Sequence, residues 1–573
     1  MPTAPSSLRT HDHDVIVLGT GIAGTAIAAV LARHGARVLM LEKHAHPRFA
    51  IGESMLPQSA LWLWMLARRF DVDELGHLSH LDTIVSRVSA RSGLKRTFGF
   101  AYHDAGRPAD PAQTHKLIPP DLPFVQEAHL LREDSDAYVL HAAIRHGAAY
   151  RDHATVAAID TDDHGVTVRL DDGTRYRGRY LLDGSGFRSQ LAERSGLREQ
   201  PTRLRTRSRT IFTHVDGLPP YDDIVDTSVM PAGSQRFHDG TLHHVFDGGW
   251  FWIIPFGNHA GASNGTTSVG VTLDLDRFPA NDLPADVEFW QLVERFPTVA
   301  RHLRDSTPTR PFVKTGRIQY SSTGSAGQRF FLLPHSAGFV DPLYSQGLVS
   351  TFESVYALAL TLRAALDGGD LGAARFAGVE RLQRTQLHAA DRLVRNGYLA
   401  MRDFATWNAW THLWMATKLF GDIAITRTCL RSLASGDPTA LDEAVTQVPA
   451  TVNGPAAAEY QRLMGIADHQ LTEATTGGTT AQAAAATILA ELGASRWLPH
   501  GAYGWGDAAA THVDFTPPRL ARVVLWGKLA APAPMRRGIF DFPVWALARE
   551  ELRRRRRDRQ DGARQPAPQP AAL

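Results

Sequence analysis

The stretch Asp14-Val15-Ile16-Val17-Leu18-Gly19-Thr20-Gly21-Ile22-Ala23-Gly24 decides the fold. Its first half is an apolar run that reads as a buried strand, its second half is a GxGxxG turn, and the helix-like AIAAVLARHG follows. That order is what a dinucleotide-binding unit requires. The first glycine permits the tight turn, the second lets the backbone approach a pyrophosphate, and the third lets helix and strand pack closely, with the helix N-terminus facing the phosphates. Gly19, Gly21, Ala23 and Gly24 are therefore expected at a bound nucleotide. A second strand, Arg37 to Leu41, ends in Glu42, about 20 residues past the glycines, where a carboxylate can accept ribose hydroxyls.

The rest of the composition sets outer bounds. A chain of 573 residues exceeds what one hydrophobic core holds, so two or three structural units are expected. Lys plus Arg (61) nearly balances Asp plus Glu (59), which excludes the bulk electrostatics of a nucleic-acid binder. Cys429 is the only cysteine, so an intrachain disulfide, a Cys-rich zinc site and an iron–sulfur cluster are excluded, and a reducing cytoplasm fits. The histidines form no HExxH, and no metal is assigned. The N-terminus has no charged region followed by an apolar one, and no apolar run is long enough to span a bilayer; neither export nor a membrane is expected.

Six further stretches carry chemistry. Pro47-Arg48-Phe49-Ala50-Ile51-Gly52-Glu53-Ser54-Met55-Leu56-Pro57 follows the second strand. Gly93-Leu94-Lys95-Arg96-Thr97-Phe98-Gly99-Phe100 alternates as a strand does and sets a lysine before an aromatic pair. Glu127 to Asp134 precedes a helix-like stretch to Gly147, and Asp183-Gly184-Ser185-Gly186 closes the apolar strand Tyr180 to Leu182. Trp250-Phe251-Trp252-Ile253-Ile254-Pro255 fits the pattern WxWxIP. Finally, Pro334-His335-Ser336-Ala337-Gly338-Phe339-Val340-Asp341-Pro342-Leu343-Tyr344-Ser345-Gln346-Gly347 leads into a long helical pattern.

Together these strings resemble the flavin-dependent halogenases, from residue 12 to about residue 415, and within them the phenolic, phloroglucinol-type branch known from pyoluteorin biosynthesis. The resemblance implies an α/β fold: an FAD-binding, Rossmann-like core of the aromatic-hydroxylase (GR2) type, an inserted β-sheet region on the substrate side, and a C-terminal helical region. It implies FAD, used in reduced form, with O₂ and chloride or bromide as co-substrates and a separate NAD(P)H-dependent flavin reductase as partner. In that chemistry a flavin C4a-hydroperoxide oxidises halide, and the hypochlorous acid travels along a tunnel to an essential lysine, here Lys95. An ammonium suits the task because it donates hydrogen bonds to HOCl, and burial can lower its pKa toward a reactive amine.

The same resemblance places Gly19, Gly21, Ala23, Gly24, Glu42, Arg48, Gly52, Glu53, Ser54, Arg132, Asp183, His335, Asp341 and Pro342 around the cofactor. Trp250, Trp252, Ile254 and Pro255 would wall the tunnel. The turn before the long helix suits an anion, so halide is assigned to the backbone of Gln346 and Gly347. Two departures stand out. Pro334 and His335 replace a common Gly-Asp pair, so the usual aspartate contact to the ribityl chain is absent; a histidine can hydrogen-bond there, with looser flavin binding expected. Tyr344 stands where tryptophan-specific enzymes carry a glutamate, which argues for a ring already activated by its own hydroxyls. Phe98, Phe100, Tyr344, Trp407 and Trp410 are the pocket candidates, although for the tryptophans, which share one helix face with Trp414, core packing is the first reading and a wall of the pocket the alternative. An aromatic hydroxylase and a catalytically silent flavoprotein are the competing readings.

The expected divisions are a disordered 1–11, a core at 12–371, helices at 372–552 and a basic disordered tail at 553–573. Within the core, nucleotide parts fall at about 12–80, 125–200 and 325–371, and the substrate-side sheet at about 81–124 and 201–324.

Overall fold

The computed structural model describes residues 12–120, 122–228, 234–446 and 456–562; the segment expected to be disordered at 1–11 and the end of the tail lie outside these residues. The chain opens with β1 (His13–Leu18), α1 (Ile22–Arg33) and β2 (Val38–Leu41). β1 runs parallel to β2 on one side and to the strand Arg175–Asp183 on the other. Ala149–Arg151 and Phe330–Leu332 extend the sheet outward, again in parallel. A parallel sheet is covered on both faces, which is why β1 has no polar alternation: Val15 and Val17 pack with α1, and Ile16 and Leu18 pack against Val166, Val168 and Leu181. After β2 the chain passes through residues 47–56 into α2 (Pro57–Phe70), with proline at the first helical position.

The second sheet holds β3 (Thr97–His103), β4 (Thr114–Ile118), β5 (Ser208–Asp216), β6 (Gly240–Phe246), β7 (Gly249–Pro255) and β8 (Thr267–Asp274). Its order is β5-β8-β7-β6-β3-β4, antiparallel except that β6 and β3 are parallel. Side chains alternate across β7. Trp250, Trp252 and Ile254 point into the main core, whereas Phe251 and Ile253 join a separate cluster under the helices Ala285–Val293 and Pro297–Leu303. The single strand expected from Gly93 to Phe100 is broken at Lys95-Arg96. Gly93–Leu94 pairs with Ala128–His129 instead, because Gly93 packs so closely on the Pro255 carbonyl that a Cβ would approach it to 2.3 Å.

Helices close the front of this sheet: α3 (Gln346–Gly368), α4 (Ala377–Ala400) and α5 (Phe404–Ser435). The helical part begins before residue 372, and it is not wholly helical. His512–Asp514 forms β9, which pairs in parallel with β4 and satisfies the backbone groups of that edge. The described part of the tail is helical. A helix runs from Val544 to Gly562, and Glu550 and Glu551 pair with Arg553, Arg554 and Arg555 three or four residues on, which is how the basic run stays helical. Among the described residues, no helix is long and apolar enough to cross a membrane.

Candidate active site

The two glycine turns of the first sheet meet at the carboxyl ends of its strands. Gly19 has φ +83°, and a Cβ there would stand 2.6 Å from the Gly184 carbonyl, so only glycine fits. Gly21 is different: a Cβ would meet nothing nearer than Arg48 Nη2 at 3.8 Å, which leaves the backbone open to a ligand. Glu42 Oε2 accepts from the Thr20 amide at 2.9 Å and from Arg48 Nη2 at 3.3 Å, and Oε1 accepts from the His44 amide at 3.1 Å. Burial opposes the charge on Glu42, but these donors outweigh it and hold the carboxyl below its ordinary value. An ionised carboxylate beside an open glycine turn at a helix N-terminus is the set that a ribose and a pyrophosphate need.

Lys95 sits in the break before β3. Its Nζ donates to the Met55 carbonyl and, at 2.9 Å, to Glu127 Oε2, and it stands 4.8 Å from the centroid of Phe98. Burial pushes the pKa of Lys95 down and the Glu127 carboxylate opposes it; burial pushes the Glu127 carboxyl up. A cleft lined by Pro57, Lys95, Ile118, Leu122, Glu127 and Gln235 reaches the pair.

A second hydrogen-bonded chain begins at Ser54, next to Met55, and runs to the tryptophan strand. His129 Nδ1 lies 2.8 Å from the Pro255 carbonyl, which can only accept, so Nδ1 carries the hydrogen and Nε2 accepts from Thr241 Oγ1 at 2.9 Å. Thr241 Oγ1 in turn accepts from Ser54 Oγ at 2.8 Å. Trp250 Nε1 donates to the Tyr398 hydroxyl at 3.3 Å, and that hydroxyl donates to Asp341 Oδ2 at 3.1 Å. Asp341 also accepts from Ser208 Oγ at 2.5 Å and the Leu343 amide at 3.0 Å, yet burial raises its pKa to about 6. Trp252 Nε1 donates to Ser268 Oγ at 3.2 Å, and its ring covers Gly270, where a Cβ would come within 2.3 Å. In front of these, Phe98 stacks on His243 at 4.6 Å, Phe100 meets Trp407 edge-on at 5.2 Å, and Tyr344 stacks on Trp414 at 5.1 Å while accepting from Trp410 Nε1 at 2.8 Å.

Comparison with known proteins resolves what this arrangement is. The profile of the tryptophan halogenase family matches residues 128–435, and that of an NAD(P)-binding Rossmann-like domain matches residues 17–61. The chain belongs to the tryptophan halogenase family, the flavin-dependent halogenases. It is 39% identical to the tetracycline 7-halogenase of Kitasatospora aureofaciens, over 90% of this chain and 92% of that one. It is 37% identical to the monodechloroaminopyrrolnitrin halogenase PrnC of Pseudomonas fluorescens, over 95% and 97%. The crystal structure of the halogenase PltM with phloroglucinol and FAD superposes with a TM-score of 0.82 at 30% identity, over 87% of this chain and 99% of that one.

In this halogenase several of the expected cofactor residues bind their own protein neighbours. Arg132 does not project outward: Nε and Nη2 bind the Asp136 carboxylate at 2.8 and 3.0 Å, and Nη1 donates to the carbonyls of Ile51 and Gly52 at 2.9 and 3.0 Å. It thus clamps the Gly52 segment, whose φ of +100° glycine alone adopts freely. Asp183 is filled by Ser185 and Ser189, whose hydroxyls donate at 2.5 and 2.7 Å, and shapes the second glycine turn. Glu53 Oε1 pairs with His214 Nε2 at 2.8 Å, while Oε2 has no partner. Ser54 belongs to the chain ending at Pro255. Pro342 opens the turn before α3, its carbonyl accepting the Ser345 amide at 2.9 Å. Ser345, immediately before the start of α3, is left-handed, with φ +52°. His335, Asp341, Gln346 and Gly347 line one groove there. Phe98, Phe100, Tyr344, Trp407 and Trp410 are all buried in mutual contact. Sequence reasoning missed Glu127, His129, Tyr398, Glu353 and Lys418. The last had a visible signal, a Lys-x-x-x-Asp pair inside the apolar run WMATKLFGD.

Proposed function

We propose that this halogenase chlorinates or brominates an electron-rich phenolic ring, with reduced FAD delivered by a separate NAD(P)H-dependent flavin reductase. The observation that carries the reading is the buried Lys95 ammonium against an aromatic face, in a fold that superposes on a phloroglucinol-bound relative. The residues at 19–24, Glu42 and Arg48 would hold FAD, and Gln346 with Gly347 the halide. When bound, reduced FAD and O₂ supply the oxidising power that turns halide into hypohalous acid. Lys95 has three N–H donors, two of them committed to Met55 and Glu127, so one remains to hydrogen-bond the hypohalous oxygen. That bond makes hydroxide a better leaving group as a ring carbon attacks the halogen. The ring proton and the hydroxide leave as water, and an aryl halide remains. The indoles of Trp250 and Trp252 wall substrate off from the flavin, and Tyr344 in place of a carboxylate fits a ring that its own hydroxyls activate.

The test combines the purified chain with a flavin reductase, NADH, FAD, a panel of resorcinol-type phenols and chloride or bromide. Product carrying the halogen isotope pattern is expected, falling about 10³-fold in Lys95→Ala, within the range general acid groups contribute. Oxygen addition without halogen overturns the reading in favour of a hydroxylase, and no product from any phenol overturns the substrate class.

A further inference from the structure

A second cavity opens on the helical side of the aromatic face, between the start of α3 and the middle of α5. Gln58, Gln346, Glu353, Gln386, Trp414 and Lys418 are among its lining residues. Two of these are ionisable and more than nine-tenths buried: Lys418 is 6% exposed and Glu353 is 5% exposed. Lys418 Nζ donates to both carboxylate oxygens of Asp422, at 2.9 and 3.0 Å, one helical turn away on α5. Asp422 also takes a hydrogen bond from Gln58. The Lys418 and Asp422 charges act on both Lys95 and Glu127, so the two lysine–carboxylate pairs are neighbours. Gln346, at the expected halide turn, marks the other end of the cavity, and Trp414 stacks on Tyr344 along its wall.

Burying an ion pair within one helix is a poor way to gain stability, since well-packed hydrophobic residues would serve as well or better. Lys418 has three N–H donors, and Asp422 takes two. We propose that this cavity is the substrate subsite and that Lys418 gives its third N–H to an ionisable hydroxyl oxygen of the aromatic substrate, whose ring lies against Trp414. An ammonium there favours the phenolate, and the greater electron density on the ring carbons speeds attack on the halogen that Lys95 presents. The ligand class is an aromatic ring bearing at least one acidic hydroxyl. This inference rests on the phenol-halogenating reading above.

The test uses the full chain and two readouts. Quenching of tryptophan fluorescence by phloroglucinol, without flavin or halide, reports binding alone. Steady-state halogenation with flavin reductase reports KM and kcat, using phloroglucinol and its tri-O-methyl ether. Lys418→Met is expected to weaken phloroglucinol binding and raise its KM at least about tenfold, which corresponds to about 1.4 kcal/mol. Lys418→Arg restores part of the loss, and the methyl ether binds wild type and Lys418→Met alike. Binding and KM within twofold of wild type in Lys418→Met overturn the proposal. If wild type halogenates no phenol but phloroglucinol binding still depends on Lys418, the subsite stands and the reaction assignment fails. Should Lys418→Met not fold, Trp414→Leu carries the same test: unchanged phloroglucinol binding there overturns the site, and weakened binding supports it.

Discussion

The nucleotide side and the reaction side of this halogenase are held together in opposite ways. Around the first sheet each key group keeps at least one local contact, Asp183 to Ser185 and Ser189, Glu42 to His44 and Arg48, and Arg132 to Asp136, all within six residues, beside longer ones such as Glu42 to Thr20, 22 residues away. Around Lys95 the partners come from afar: Glu127 is 32 residues away, Tyr398 is 148 from Trp250, and Thr241 is 187 from Ser54. A local cluster is rebuilt whenever its own segment folds. A distant one exists only when both sheets and the helices are already docked, so damage there reaches the whole assembly.

Glu127→Ala is the strongest way to expose that difference. It leaves the buried Lys95 ammonium with only a carbonyl partner, and breaking a buried pair from one side costs about 3–5 kcal/mol. Urea denaturation measures the loss, and halogenation should fall with it because the orientation of the remaining Lys95 donor depends on Glu127. A loss below about 1 kcal/mol would show that the pair does not join the elements it touches.

A pair of glycine substitutions sharpens the contrast. At Gly270 a Cβ would come within 2.3 Å of the Trp252 indole, so Gly270→Ala overpacks the core under Trp252 and is expected to destabilise by about 1–3 kcal/mol. At Gly21 the nearest atom is the Arg48 guanidinium at 3.8 Å, so Gly21→Ala should melt like wild type when no FAD is added. Its defect appears only on FAD titration, where affinity should fall at least about tenfold as the new methyl blocks the pyrophosphate approach. Equal melting defects in both variants would erase the distinction between a glycine that serves a ligand and one that serves packing.

The same contrast explains what was legible in the chain. The strand from Asp14 to Leu18, the turn at Gly19–Gly24 and Glu42 are a short-range code, because backbone conformation and a helix terminus dictate residue type within one segment. The WxWxIP string was legible as a pattern, and the role of its Pro255 carbonyl was not, since its donor is His129. Lys95 could be named, yet its partner could not, although Glu127 lay in plain view: only the pairing of Gly93–Leu94 with Ala128–His129 brings them together. The helical region was hardest to divide. α5 is buried along most of its length, so its hydrophobic pattern has no clear polar face against which the Lys418–Asp422 pair could be recognised. The break of the strand at Lys95 likewise follows from tertiary packing on Gly93, which local alternation does not encode.

An effect that appears only as pH rises concerns Glu353, on the helical wall of the same cavity. Burial raises its carboxyl from an ordinary value of 4.5 to about 7, against the hydrogen bond from Gln386 at 2.5 Å, which favours the charged form. A carboxyl that holds its proton more tightly when folded supports the native state at low pH. That support is complete below about pH 4.5, shrinks as pH rises and is gone once the folded group has titrated near pH 7. Above that pH the wild type carries a buried carboxylate that Glu353→Gln lacks, while the amide oxygen of the variant still accepts from Gln386. The variant should therefore match wild type near pH 4.5 and exceed it by up to roughly 3 kcal/mol at pH 8.5, the free energy of a shift of that size. Urea midpoints at the two pH values measure the divergence. Parallel profiles would mean that the carboxylate is solvated in the folded chain, so that the helical wall of the cavity is as open to water as the nucleotide groove.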